Sequence, residues 1–177
     1  MIRLFLFSLT LFLTSCASIP LSTMLEFRNF GKDDFINIQP QELATNIQID
    51  DPARAKIDTA QLSLDLQTAQ GTRAFQFPLI LSEEIRIEAV SGFFSNTPAK
   101  TEYRMRLSAE AIQNFKKTQQ IFRDEQLEGF NFAVSTSVDE LPADVTAIHI
   151  SIFLKLSQEQ GFVTLFDNVK LEVKREG

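Results

Sequence analysis

Cysteine and histidine each occur once in this chain of 177 residues, as Cys16 and His149, and tryptophan is missing altogether. A lone cysteine has no partner for an internal disulfide, so folding stability has to come from a core. A lone histidine excludes a His-based metal cluster. There is no basic surplus either: 17 Lys and Arg stand against 23 Asp and Glu, a formal charge of −6. Nucleic-acid binding needs a basic stripe, and no cluster of Lys or Arg occurs, so both nucleic acid and an electrostatic grip on anionic lipid are disfavoured. No P-loop, no G-x-G-x-x-G loop and no G-x-S-x-G nucleophile elbow is found. Without these constellations the expectation is a non-enzymatic protein that uses no cofactor and no metal.

The first sixteen residues are the most specific feature present. Arg3 leads into an apolar run from Leu4 to Leu13, followed by small residues, the arrangement of an export signal. That run is too short to span a bilayer, which takes about 20 residues. The next stretch, Leu13-Thr14-Ser15-Cys16, resembles the lipobox of bacterial lipoproteins. This resemblance implies cleavage before Cys16 and acylation of its sulfur. It also implies, because Ala17-Ser18 rather than Asp follow, sorting to the outer membrane. Two or three acyl chains would hold the protein firmly, since each buried methylene is worth roughly 0.8 kcal/mol. The expected organisation is a signal over residues 1–15, a lipidated Cys16 with a short tether over 16–23, and one domain over 24–177. The tether reaches at most about 25 Å when extended. No second long apolar run follows, so the rest of the chain reads as soluble.

Beyond the tether, apolar and polar residues alternate with period two again and again, as in strands with one buried face. The expected strands lie near 23–30, 45–49, 57–66, 73–81, 84–90, 102–107, 129–136, 146–156 and 162–173. Turn signals separate most of them, among them Asp50-Asp51-Pro52, Gln70-Gly71-Thr72, Ser95-Asn96-Thr97-Pro98 and Gln160-Gly161. With 17 Phe and a single Tyr, the aromatic content is almost wholly apolar and suits a core between sheets. The pattern predicts an all-β fold: an antiparallel, immunoglobulin-like β-sandwich of eight or nine strands with one inserted amphipathic helix.

That helix is expected from Ala109 to about Glu125, with Ala111, Ile112, Phe115 and Phe122 on one side and Ser108 as its N-cap. It packs across the sheets or, less in keeping with Asp124 and Glu125 on its polar face, lies on a membrane surface. In the strand near 146–156, Phe153 sits mid-way along the face opposite Ile148, Ile150 and Ile152. The sequence therefore predicts a central strand with the helix over Phe153.

The candidate chemical groups each have an ordinary reading beside a functional one. His149 shares a strand face with Ser151, yet no orienting group is evident, so it reads as a half-exposed surface residue rather than a catalytic base. The doublet Asp50-Asp51 is a turn or, alternatively, a calcium ligand pair. Glu84, Arg86 and Glu88 face Glu102, Arg104 and Arg106 if their strands are neighbours, pairing across the solvated side. The Phe93-Phe94 pair in a turn-rich segment either plugs an end of the fold or forms a partner-contact site.

Three classes of function remain. The first is a non-catalytic lipoprotein acting as an accessory or assembly factor on a protein partner in the envelope. The second is a binding module for a small apolar ligand or lipid between sheet and helix, and an enzyme comes last. If Phe93 and Phe94 make the partner contact, the double change Phe93→Ser, Phe94→Ser leaves the melting temperature unchanged and removes the co-purifying partner, because aromatic anchors dominate binding hot spots. A fall in stability of several kcal/mol, the usual result of emptying an apolar site, would show that they plug the fold instead.

Overall fold

The computed structural model describes residues 30–92, 96–139 and 141–173. Its elements, in chain order, are α1 (Lys32–Asn37), β1 (Ala44–Asp50), β2 (Ala55–Thr68), β3 (Gly71–Ile87), β4 (Val90–Ser91), β5 (Asn96–Thr97), β6 (Lys100–Leu107), α2 (Ala109–Phe122), β7 (Leu127–Val138), β8 (Ala147–Lys155) and β9 (Phe162–Glu172). Seven strands hydrogen-bond in the order β7-β2-β3-β6-β1-β8-β9, and β4 and β5 form a separate small hairpin. Every pairing is antiparallel. The predicted antiparallel all-β class is the one observed.

The strand β3 explains how seven strands curl into one sheet. Its first half pairs with β2 from Gly71 to Pro78, and its second half pairs with β6 from Leu79 to Ile87. The change of partner falls at Pro78, which has no N–H to donate to a ladder. The Pro78 carbonyl instead accepts the Ser108 N–H at 3.2 Å, which ties the change of ladder to the residue that begins α2.

Alternation then decides what faces inward. On one side of the curl Leu62, Leu64 and Leu66 of β2 lie between Phe77, Phe75 and Arg73 of β3 and Val134, Phe132 and Phe130 of β7. On the other side Thr45, Ile47 and Ile49 of β1 lie between Met105, Tyr103 and Thr101 of β6 and Leu154, Ile152 and Ile150 of β8. Residues of both ladders and both helices join one hydrophobic core. A polar tie crosses it where the Ala55 N–H donates to the Tyr103 hydroxyl at 3.3 Å.

The helix α2 closes the inner face. Ser108 caps it, its Oγ accepting the Ala111 N–H at 3.0 Å. Phe115 is fully buried, with its ring centroid 5.0 Å from that of Phe77 and 5.7 Å from that of Phe35 on α1. Near the other end Phe122 meets Phe75 edge to face at 5.8 Å, and the Arg73 guanidinium lies 4.4 Å over its ring while pairing with Glu125 at 3.2 Å. Gln119 is buried, and its Nε2 donates to the carbonyls of Phe35, Ile36 and Ile38 at 2.8, 3.2 and 2.9 Å. These carbonyls lie at and just past the C-terminus of α1, where a helix runs out of its own N–H donors; that of Phe35 also accepts the Ile38 N–H at 3.3 Å. One side chain thus docks α1 onto α2.

Three sequence expectations need correction. The helix does not cover Phe153: it packs on Phe75 and Phe77 at the inner face, whereas Phe153 lies on the outer face opposite Asn46. The central position of β8 does hold, since β1 and β9 flank it. The expected strands 73–81 and 84–90 are mostly one strand, interrupted by an irregularity between Leu81 and Glu83. The extra residue inverts the pleat. Ile85 and Ile87 now share a face with Glu102 and Lys100, and Glu83 rather than Glu84 pairs with Arg104, at 2.8 Å. Arg86 turns instead to Asp51, at 2.7 Å.

Truncating Phe115 to Ala is expected to destabilise the fold by about 3–5 kcal/mol, the range for a buried ring replaced by a cavity. Lys117→Ala, on the exposed side of α2, is expected to leave the thermal melt unchanged. Coincident melts of the two variants would mean that α2 does not seal the sheet.

Candidate functional site

On the outer face of the β6–β1–β8–β9 ladder lies a cleft of about 360 Å³. The same alternation that sends Ile47 and Ile49 inward sends Gln48 and Asp50 outward, and on β8 it sends His149, Ser151 and Phe153 out beside them. Lys100 of β6 stands opposite Asp50, and Thr97 of the small hairpin and Pro98 after it also line the cleft. The far wall is Asp167 and Asn168.

That wall exists because β9 carries more residues than β8 over the same span. Ile150 pairs with Val169 and Ile152 with Phe166, so Asp167 and Asn168 together face the single residue Ser151. Asn168 takes a left-handed backbone at φ 49°, a conformation that Asn tolerates better than most residues. Its N–H turns to donate to Ser151 Oγ at 2.9 Å. A bulge of this kind re-aims side chains, and here it lifts two polar residues out of the ladder to border the cleft.

The charged groups are arranged in short chains. His149 Nδ1 lies 3.7 Å from Asp50 Oδ2, close enough for charge attraction but beyond a hydrogen bond. Gln48 Nε2 donates to Glu102 Oε2 at 2.6 Å, and Arg104 Nε donates to Glu102 Oε1 at 2.8 Å. Burial holds the Asp50 carboxyl above the usual aspartate range; His149 and Lys100 pull it back down, and neighbouring Asp51 pushes it up a little.

Of the residues singled out in the sequence, the structure brings together His149, Ser151, Phe153 and Asp50. Asp50 and Asp51 diverge: Asp50 faces the cleft, whereas Asp51 is held by Arg54 at 3.1 Å and Arg86 at 2.7 Å. Among the described residues no three His, Cys, Asp or Glu side chains are grouped to hold a metal ion. Cys16, Phe93 and Phe94 lie outside the described residues. Sequence reasoning missed Gln48, Lys100, Asp167 and Asn168. Only the Asp167-Asn168 doublet carried a signal, since both residue types are unfavourable in mid-strand.

Chemically, the cleft is a surface of short donors and acceptors with one aromatic wall. Ser151 Oγ accepts the Asn168 N–H, His149 and Asp50 stand 3.7 Å apart, and among the described residues no hydrogen bond joins Ser151 to His149.

The raised Asp50 carboxyl has a consequence for stability. The folded state holds its proton more tightly than the unfolded chain, so the group favours folding at low pH, and that contribution is lost as pH rises through the folded-state value. Asp50→Asn is therefore expected to melt higher than the parent at pH 7, with the gap closing as pH falls below the aspartate range. Thermal melts across that pH span check it; a parent more stable than Asp50→Asn at pH 7 would contradict it.

In comparisons with known proteins, no family model, no curated protein and no solved structure matches this chain.

Proposed function

We propose that this protein is a non-catalytic lipoprotein of the bacterial envelope, anchored in the outer membrane through acylated Cys16, facing the periplasm and acting as an accessory or interaction factor. The observation that carries the reading is the leader itself, Arg3 and the apolar run to Leu13 followed by Leu13-Thr14-Ser15-Cys16. The tether after Cys16 is short, so the domain works close to its membrane. In the same reading the curled sheet is an opened relative of the immunoglobulin-like sandwich, its two ladders serving as the two layers, and Phe93-Phe94 is the protein-contact site.

The cleft supports recognition over catalysis in this role, because its polar groups are spread over five strands and no hydrogen bond among the described residues joins Ser151 to His149. An apolar ligand or lipid between sheet and helix is less favoured. That space is filled by the buried rings of Phe35, Phe77, Phe115 and Phe122.

Cys16→Ser removes the sulfur that carries the proposed lipid. In a bacterial host the parent is expected to incorporate labelled palmitate and to fractionate with membranes, and Cys16→Ser to do neither. Palmitate incorporation by Cys16→Ser would refute the anchor.

A further inference from the structure

We propose that the outer-face cleft binds an uncharged, polyhydroxylated ligand, one or two sugar rings of a glycan. The proposal rests on the reading of the cleft as a recognition surface and is independent of the membrane anchor.

The lining selects by elimination. An anion such as a phosphate would meet the carboxyls of Asp50 and Asp167, with Glu102 close behind Gln48. A cation would meet the Lys100 ammonium, which stands opposite Asp50 and is already attracted to it. A purely apolar molecule would strip water from these polar groups without returning hydrogen bonds, which costs free energy for each one.

A sugar fits what remains. Each of its hydroxyls both donates and accepts, matching a set that mixes carboxylate acceptors, the two-way amides of Gln48 and Asn168, and the Lys100 donor. The apolar C–H face of a sugar ring needs an aromatic surface, and Phe153 supplies one in the wall.

The Ser151 hydroxyl stands among the groups that line the cleft. It is only 7% exposed, its oxygen accepts the Asn168 N–H, and its proton has no acceptor among the described residues. A ligand oxygen in the cleft would take that proton. The volume of about 360 Å³ lies at the small end of ligand sites, which suits one or two rings rather than a long chain.

The single histidine provides the readout, because His149 borders the cleft and gives the only imidazole C–H resonances of the chain. The full chain, held in a polyoxyethylene detergent free of sugar headgroups, is titrated with maltotriose, cellotriose and the trimer of N-acetylglucosamine. Tetralysine and tetra-aspartate serve as charged probes.

The expected result is a saturable shift of the His149 resonances with at least one trisaccharide and none with the charged peptides. Phe153→Ala is expected to abolish the shift. Asp167→Asn, altered at an exposed side chain, is expected to weaken binding about tenfold, the effect of losing one charged hydrogen bond. A saturable shift with a charged peptide instead, or no shift with any of the three sugars, overturns the proposal. So does unchanged affinity in a folded Phe153→Ala; should that variant fail to fold, unchanged affinity in Asp167→Asn does the same.

Discussion

The contact of Phe115 with Phe35 and Phe77 is the constraint on which the rest of this structure depends. A curled sheet presents a concave apolar face that must be covered, and α2 is the element that covers it. Aromatic pairs of this kind add about 0.5–1.5 kcal/mol each beyond the area they bury. Their geometry also matters, because it fixes α2 where Gln119 can reach three carbonyls around the end of α1 and where Ser108 can reach the carbonyl of Pro78. Loss of the ring contacts would loosen the two helices and the change of ladder in β3 together. With the inner face sealed by side chains, chemistry is displaced to the outer face.

The inner face was largely legible in the sequence and the outer face was not. Burial with period two is a strong signal, and it placed β1, β2, β6, β7, β8 and β9 to within a few residues. Ser108 and the stripe of Ala111, Phe115 and Phe122 announced α2 in the same way. The six residues of α1 were missed because a helix of under two turns shows no periodicity; its mark was the acidic pair Asp33-Asp34 in the first turn. In the structure Asp34 Oδ2 accepts the Gly31 N–H at 2.8 Å, just ahead of the first turn.

The cleft was illegible for a different reason. His149 and Ser151 could be placed on one face of one strand, but their neighbours Gln48 and Lys100 belong to strands distant in sequence whose pairing no local pattern specifies. Two of the strand irregularities had the largest effect. At Leu81–Glu83 one extra residue reverses which charges face Arg104, and at Asp167-Asn168 two polar residues leave the ladder. Both follow from how two strands settle against each other, which single-strand alternation does not encode.

The placement of β1 between β6 and β8 bears on the order in which the chain can assemble. The β2–β3 hairpin needs only the turn at Ala69-Gln70 and can close as soon as it exists. β1 must wait, because Thr45 pairs with Met105 on one side and with Leu154 on the other. Closing loops of that length is slow compared with closing a hairpin. For a time, then, the newly made segment from Ala44 to Asp50 has both edges open. The late arrival of β8 completes the apolar layer of this half of the sheet and, in the same step, brings His149 beside Asp50, so this part of the outer-face cleft and the core beneath it form together.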